Sequence, residues 1–423
     1  MVNEPKKHHY VPRSVLRNFS IGGQKRSVFV FDKSSGRSFA SPIGDATVER
    51  DFYRVDLGER HINFEPLFQN LDDRLASLVA KLTTAPSLKE LDPADRFDLA
   101  VVTACQLLRT KLQRTSPMEV ARQVSQRLEQ SGFGLPEETL DEQQVRLDSL
   151  RRLLALEEVA AVLAAKELVL VKTASPVLWT SDNPVVFYNT FPYGRPALAA
   201  PGVEVYHPIA PSLCLAFLCR SIGEIIAESL DPRHPRPALN NSHSLMPRLL
   251  ASIREGVPLD SDDNYSTYLN ELQIRNSSRF LYGSRDDFGL AVEVLARSPS
   301  LREVLSLETV GEMGTGPPPN PKMPSGTWLV VESSYRHHIL PVTLIEDDSW
   351  AFAFTTTDET KLLLMERDSP FDSVTLYTDG HTRQMIRGVA FQYLERKGLR
   401  YVRVQHADQN ENALAEQIRR RRS

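Results

Sequence analysis

The sequence predicts an α+β fold with two domains that differ in their pattern of helix and strand candidates. In the first part, short β-rich runs such as Ser27 to Phe31 lie among long segments whose apolar residues recur at helical spacing. A Pro/Gly-rich stretch follows, and beyond it come closely spaced strand candidates and one amphipathic pattern. We therefore expect a mixed helical and β domain over residues 1–295, a linker over residues 296–326, and a small antiparallel sheet with a helix over residues 327–423.

Length and composition are those of a soluble globular protein. The chain has 423 residues, of which 41% are hydrophobic and 25% are charged, and its length suggests two or three domains. The net charge of -4 gives no overall basic field for nucleic acid, so such a contact would need a local patch. Because no apolar run reaches about 18 residues and the N-terminus is polar, we expect a cytoplasmic protein without a membrane partner. We expect buried thiols, not disulfides or zinc ligands, at Cys105, Cys214 and Cys219.

The segment KKHHYVPRSVLRNF, residues 6–19, joins two adjacent histidines to a proline and a helix start. Pro12 keeps the preceding residues extended, and Ser14 is the candidate N-cap of the helix. The apolar face of this helix is formed by Val15, Leu16 and Phe19. Arg13 and Arg17 then lie on the opposite, polar face.

The two histidines of this segment, His8 and His9, point to opposite faces if the segment is extended. One of them would then serve a site while the other packs or caps. Histidine is the usual proton carrier at neutral pH and a common metal ligand. The alternative interpretation is a solvated basic tail in front of an ordinary helix.

Two amphipathic helices follow. The apolar stripe of the first comprises Phe64, Leu67, Phe68, Leu71, Leu75, Leu78 and Val79. Glu65 and Asp72 share one side of it, where they would ligate a cation, pair with an arginine or face solvent. Asp92 caps the second helix, whose stripe comprises Phe97, Val101, Ala104, Cys105, Leu108 and Leu112. Arg109 lies at the edge of that stripe, with Glu65 as a candidate partner.

A polar loop, TSDNPVVF at residues 180–187, follows strand candidates at residues 166–173 and 177–180. Its Asp182 and Asn183 are turn formers whose side chains bond nearby backbone amides. Loops of this kind often present catalytic or ligand-binding groups, although an Asx-turn that only joins two strands is the alternative.

Further strand candidates lie within residues 203–220, where His207 fits a structural role as well as a functional one. A helix is predicted over residues 265–282, with Asn270 and Arg279 as the polar residues nearest its apolar face. Beyond the linker, strands are predicted at residues 328–332, 339–345, 349–355, 361–365 and 373–377, and a helix at residues 382–397. The basic tail RRRRS would touch an anionic partner or be solvated.

These motifs resemble the uncharacterised, mainly bacterial family catalogued as domain of unknown function 4238. The resemblance spans residues 6–283 and is carried by HHYVPRSVLRNF at 8–19, Glu65, CQLLRT at 105–110, TSDNPV at 180–185 and NELQIRNSSRFLY at 270–282. It departs after Pro12, where the family usually shows Gln and an aromatic residue, and at Asp72, where it usually shows Glu. Because the family has no established activity, the resemblance implies a site map and no reaction.

Histidine, carboxylate, asparagine and arginine from distant segments are the residue types of a metal-dependent hydrolytic site. The first hypothesis is therefore a metal-dependent phosphodiesterase or nuclease acting on nucleic acid or a nucleotide. Its catalytic residues would be His8, His9, Asp182 and Asn183. A divalent cation, Mg²⁺ or Mn²⁺, would be held by His9, Glu65 and Asp182. The substrate would contact Arg17, Arg109, Asn270 and Arg279.

The pattern HHxxP also resembles the first motif of His-Me finger nucleases, but no His lies between His9 and His61 to complete such a site. That fold is therefore not assigned. Two other hypotheses remain. One is a non-enzymatic anion- or nucleotide-sensing module whose C-terminal sheet contacts a protein partner. The other is a buried polar network that only fixes the fold, formed by His8, His9, Glu65, Arg109 and Asp182.

Overall fold

The structure is a computed structural model, and it confirms the α+β class. It describes residues 7–50, 54–57, 60–63, 65–113, 152–189, 198–199, 202–229, 245–303, 326–332, 337–347, 351–368, 371–379, 381–396 and 399–406. The described residues divide into two compact units. The N-terminal unit contains those of residues 1–188, 204–218 and 222–314, and the C-terminal unit contains those of residues 189–203, 219–221 and 315–423.

Helices and strands alternate irregularly before residue 300. The described α-helices there are α1 (Arg13–Asn18), α2 (Glu65–Thr84), α3 (Pro93–Leu108), α4 (Leu156–Ala164), α5 (Arg220–Ser229), α6 (Leu245–Glu255), α7 (Asp263–Asn276) and α8 (Gly289–Arg297). The described strands are β1 (Lys7–His9), β2 (Ser27–Asp32), β3 (Arg37–Pro42), β4 (Val48–Arg50), β5 (Arg54–Leu57), β6 (Arg60–Asn63), β7 (Glu167–Thr173), β8 (Thr180–Ser181), β9 (Val186–Asn189), β10 (Val203–Ala210), β11 (Leu213–Leu218), β12 (Leu259–Ser261) and β13 (Phe280–Gly283).

Two larger sheets organise these elements. One has the strand order β12-β7-β11-β10-β9, and the other has the order β3-β2-β13-β8. The strands β10 and β11 are buried along nearly their whole length, because α7 packs its Leu269 and Leu272 on one face of this sheet. Two-stranded ladders join β1 to β4 and β5 to β6.

Apolar periodicity predicts the helix faces well. Val15, Leu16 and Phe19 are buried, as are the described members of the α2 stripe from Phe68 to Val79. Asp92 caps α3 by accepting a hydrogen bond from the Asp95 amide at 2.7 Å. All three cysteines are buried with free thiols, as expected. The stripe predicted for α3 is wrong at Phe97, whose side chain is 50% exposed near the helix start.

Several boundaries differ from the predictions. Ser14 is not the N-cap of α1, because the helix begins at Arg13 and Pro12 occupies the N-cap position. The strand β2 pairs with β3 through a turn that places Gly36 at φ +69°, a conformation that favours glycine. The helix predicted over residues 265–282 ends at Asn276, and Phe280 to Gly283 form a strand between β2 and β8.

The C-terminal unit is built from two antiparallel sheets and a helix. Its described elements are β14 (Thr327–Glu332), β15 (His337–Pro341), β16 (Thr343–Asp347), β17 (Ala351–Thr355), α9 (Glu359–Asp368), β18 (Ser373–Thr378), β19 (His381–Arg387), β20 (Val389–Arg396) and β21 (Leu399–His406). The sheet orders are β15-β14-β18-β19 and β16-β17-β21-β20. Both sheets contribute to one core, which includes Leu329, Leu376, Phe354 and Val404, and Met365 of α9 joins it.

Two predictions for this unit are wrong. Residues 361–365 belong to α9 and not to a strand, because Asp358 accepts a hydrogen bond from the Lys361 amide and starts a helix there. The described part of the helix predicted over residues 382–397 belongs to β19 and β20 and is not helical. Gly388, at φ +60°, lies between these strands, which belong to different sheets, and Ile386, Val389, Phe391 and Tyr393 pack in the core of the unit.

Some predictions fall outside the described residues. The linker overlaps them only at its ends, where α8 finishes and residues 299–302 form a short 3-10 helix. The basic tail lies outside them. Within the described chain, no helix has the length and apolar character needed to cross a membrane.

Candidate functional site

The ladder between β1 and β4 sets the two N-terminal histidines in different surroundings. His8 lies opposite Glu49 and is 1% exposed, whereas His9 lies opposite Val48 and is partly exposed. This difference is expected of neighbouring residues in an extended strand, since their side chains leave opposite faces. Of the two, His9 is therefore the one that reaches the surface.

His9 is paired with the first helical residue. The Nε of Arg13 donates a hydrogen bond to the Nε2 of His9 at 2.7 Å. Since the accepting nitrogen carries no proton, the imidazole in this contact is neutral and has its hydrogen on Nδ1. Arg13 and Arg17 are both solvent-exposed on α1. We call His9, Arg13 and Arg17 the α1 basic face.

Arg109 is buried at the end of α3. Its Nη2 lies 2.7 Å from an oxygen of Asp72, and its Nε donates to Gln106 at 2.9 Å. The ring of Phe68 lies 5.6 Å from the guanidinium carbon. Burial raises the pKa of Asp72, and Arg109 opposes that rise. The partner seen for Arg109 is thus Asp72, while the side chain of Glu65 lies outside the described residues.

Asp182 is buried and binds backbone. One carboxylate oxygen accepts from the amide of Ser278 at 2.8 Å, and the other accepts from Arg279 at 2.8 Å and Phe280 at 2.9 Å. Burial raises the pKa of Asp182, while the three amides and the nearby Lys33 ammonium oppose the rise. The carboxylate therefore holds the turn that ends α7 and starts β13.

The TSDNPV loop and the residues just before it are bound to α7 by side-chain amides. The Oδ1 of Asn270 accepts from the amide of Trp179 and its Nδ2 donates to the carbonyl of Val177, both at 2.9 Å. Gln273 bonds the hydroxyl of Ser181 and the carbonyl of Pro184. The Nδ2 of Asn183 donates to the Asn276 carbonyl at 3.0 Å.

Arg279 reaches outward from the same turn. Its Nε and Nη2 bind the two oxygens of Asp32 at 3.0 and 2.8 Å. This bidentate pair holds the pKa of Asp32 well below its usual range. The Arg279 side chain is 51% exposed, so this pair lies at the surface and ties β2 to β13.

The sequence motifs meet within the N-terminal unit. The Nε2 of Gln106, in CQLLRT, donates to the carbonyl of Tyr10, in HHYVP, at 2.9 Å. Tyr10 is in turn hydrogen-bonded to Tyr282, at the end of NELQIRNSSRFLY. The family model described as "Protein of unknown function (DUF4238)" matches residues 7–287. The chain belongs to this family. Neither the curated proteins nor the solved structures give a match.

The DUF4238 region also contains polar core residues to which the sequence reasoning gave no role. Tyr10, Gln106 and Tyr282 lie inside the sequence motifs that resemble the family. Their place in these motifs was the one sequence feature that could have marked them as important. Lys33 is 1% exposed and donates to the carbonyls of Ile274 and Ser277, and its position in a polar turn gave no sign of burial. Burial lowers the pKa of Lys33 to about 8, and Asp182 opposes the fall.

His207 is fully buried on β10 of the DUF4238 region. Its Nδ1 lies 3.2 Å from the hydroxyl of Thr103 on α3. Burial, with a smaller contribution from Arg109, lowers the pKa of His207 to about 3. The imidazole is therefore neutral at physiological pH.

The predicted site residues fall into two groups in the DUF4238 region. His8, His9 and Arg17 belong to the N-terminal segment. Asp182 and Asn183 belong to the TSDNPV loop, while Asn270 lies in α7 and Arg279 just after it. Arg109 bonds Gln106, which contacts the N-terminal segment. Among the side chains that the structure describes, no three His, Cys, Asp or Glu residues form a group able to hold a metal ion. The set His9, Glu65 and Asp182 includes one undescribed side chain and stays a prediction.

Proposed function

We propose that the DUF4238 region is a non-enzymatic module that binds an anionic, phosphate-bearing ligand at the α1 basic face. The observation that carries the proposal is the exposure of Arg13 and Arg17 on one short helix, next to the partly exposed His9. Arginine is suited to this task because its planar guanidinium presents several donors to phosphate oxygens. A nucleotide or a phosphorylated metabolite has the required chemistry.

The buried polar residues support this assignment by their contacts. The carboxylate of Asp182 accepts hydrogen bonds from three backbone amides. The oxygen and the nitrogen of the Asn270 side-chain amide each bond a backbone group. Arg109 is enclosed with Asp72 and Gln106. Groups used in this way stabilise the fold, and using them for chemistry would leave buried backbone groups unpaired. We therefore assign them to a structural network that stabilises the fold.

A metal-dependent phosphodiesterase or nuclease is the second candidate. It is favoured by the partial exposure of His9 beside an exposed guanidinium, which would pair a general base with a phosphate contact. Mg²⁺ or Mn²⁺ would be held by His9, Glu65 and Asp182. Asp182 would then have to exchange backbone hydrogen bonds for metal coordination, which makes this candidate the weaker one.

Calorimetric titration with pyrophosphate and ATP, with and without MgCl₂ or MnCl₂, separates the two candidates. The proteins would be wild type, the double variant Arg13→Gln/Arg17→Gln, and the control Arg37→Gln, which removes an exposed arginine from β3. A binding module should bind without metal, lose at least about tenfold in affinity in the double variant, and be unaffected in the control.

Two outcomes would contradict this assignment. Absence of binding by the wild type would overturn the anion-binding proposal. Cleavage of DNA, RNA or a nucleotide that requires added metal and is lost in His9→Ala, with an unchanged melting temperature, would favour the phosphodiesterase.

A further inference from the structure

Thr47 has an unusual backbone for its residue type. It lies just before β4 at φ +55°, it is β-branched, and it is 3% exposed. Side chains branched at Cβ rarely adopt a positive φ, and such strain persists only where surrounding contacts enforce it. The contacts that Thr47 makes therefore indicate what the strained conformation achieves.

Those contacts are with the segment between His9 and α1. The amide of Tyr10 donates to the Thr47 carbonyl at 3.0 Å, and the Thr47 hydroxyl donates to the Val11 carbonyl at 3.0 Å. The first of these bonds continues the β1 to β4 ladder by one pair, since Tyr10 and Thr47 follow His9 and Val48 in its register. The Thr47 hydroxyl adds a second bond beyond the ladder, so the carbonyl and the side chain of Thr47 both bind residues 10 and 11.

Gln106 holds the same segment from helix α3. It is 0% exposed, and its Nε2 donates to the Tyr10 carbonyl at 2.9 Å. Its Oε1 accepts from Arg109, whose guanidinium pairs with Asp72 on α2. The amide of Gln106 is thereby fixed in orientation, since the oxygen must face Arg109 and the nitrogen must face Tyr10.

We infer that Thr47 and Gln106 are positioning residues that hold the backbone of Tyr10 and Val11 so that His9 and Arg13 meet in the geometry the ligand requires. This inference rests on the proposed function. We call the hydrogen bonds between these two residues and Tyr10 and Val11 the Tyr10 clamp. His9 precedes the clamped residues and Arg13 follows them after Pro12, so the clamp sets the distance between the imidazole and the guanidinium.

The clamp lowers the cost of binding by preorganisation. Without it, the segment from His9 to Arg13 would have to be ordered when a ligand binds, and that ordering would subtract from the affinity. Because Thr47 and Gln106 already order this segment in the folded domain, the entropy cost of ordering it belongs to folding and not to ligand binding. Substitution of either residue should therefore change the His9 to Arg13 pair in a protein that remains folded.

Nitrogen NMR of ¹⁵N-histidine-labelled protein tests the inference, because the ring ¹⁵N shifts report which nitrogen carries the proton. The variants would be Thr47→Val, Thr47→Ser and Gln106→Leu, with His9→Gln to assign the His9 signals. Thr103→Val is the matched control, since it removes another buried hydroxyl, the one that faces His207. Circular dichroism would establish that each variant is folded.

We expect the wild type and Thr47→Ser to show His9 protonated on Nδ1. Thr47→Val and Gln106→Leu should shift the His9 signals toward a mixture of tautomers, and Thr103→Val should not. The pyrophosphate affinity should fall about tenfold in the two clamp variants and be kept in Thr47→Ser. Gln106→Leu acts from a different element, so it tests the clamp even if Thr47→Val does not fold.

Unchanged His9 signals in folded Thr47→Val and Gln106→Leu would overturn the inference. The NMR result does not depend on a ligand, so it stands apart from the proposed function. If the wild type does not bind pyrophosphate while the clamp variants still alter His9, anion binding fails as the function and the positioning of His9 is retained.

Discussion

Lys33 and Asp182 bind opposite polar groups of the same turn. The ammonium of Lys33 donates to the carbonyls of Ile274 and Ser277 at 2.9 and 2.6 Å, while the Asp182 carboxylate accepts from the amides of residues 278–280. The positive group thus lies at the C-terminus of α7, where the helix dipole favours a cation. The negative group lies where the chain turns from α7 into β13.

Asp182→Asn should destabilise the N-terminal unit by about 3 kcal/mol. An asparagine amide offers one acceptor in place of two and adds a donor next to backbone N–H groups, and it leaves Lys33 without its nearby charge. Urea unfolding followed by circular dichroism would measure the loss. Asp287→Asn, at an exposed position, is the control and should change stability by less than about 0.5 kcal/mol. Equal stability of Asp182→Asn and wild type would contradict a structural role for the carboxylate.

The pair of the buried Arg109 and the partly buried Asp72 should show strong coupling. Arg109→Met alone leaves a largely enclosed carboxylate and should cost about 3 kcal/mol, whereas the further change Asp72→Leu should recover part of that loss. Arg279→Gln provides the contrast, because the Arg279 side chain is 51% exposed and its pair with Asp32 should contribute no more than about 1 kcal/mol. A double-mutant cycle measured by urea unfolding tests this order. Additive single effects would argue against the buried pair.

His207 should make the fold sensitive to acid. Its pKa is about 3 in the folded protein, below the ordinary value of 6.5 expected in the unfolded chain. Between these values the unfolded chain takes up a proton that the folded protein does not, so the free energy of unfolding falls as the pH is lowered from 6.5 toward 3. Between pH 6.5 and pH 4 the wild type should lose roughly 3 kcal/mol more than His207→Gln. Parallel stability curves for the two proteins would show that burial does not shift this histidine.

Gly256 should not tolerate a side chain. It has φ +71°, and a Cβ there would lie 2.9 Å from the Lys89 amide nitrogen and 3.0 Å from the Leu88 carbonyl carbon. Gly256→Ala should therefore lower the melting temperature more than Gly22→Ala. Gly22 also has a positive φ, of +58°, but nothing lies within 4 Å of its added Cβ, so it isolates the backbone strain of about 1 kcal/mol. Equal shifts in the two variants would mean that the contact with residues 88 and 89 relaxes at no cost.

Sequence patterns over a few residues predict those helices and caps that are stabilised by contacts between residues close in the chain. The stripes of α2 and the cap at Asp92 follow from spacing and from hydrogen bonds within a few residues. The end of α7 could not be read in this way, because its sequence continues with helical spacing into Phe280. What stops the helix is Asp182, which lies 96 residues before Ser278 in the chain and binds its amide.

The same division applies to the candidate site. The sequence by itself determined the fold class, the apolar helix faces, the family and the motif residues, because periodicity and residue order are local properties. Tertiary structure alone decided that Arg109 pairs with Asp72, that Lys33 is buried against α7, and that Gln106 holds the Tyr10 backbone. Each of these contacts joins residues far apart in the chain. A polar side chain becomes structural where such neighbours exclude water from it and stays accessible where they do not.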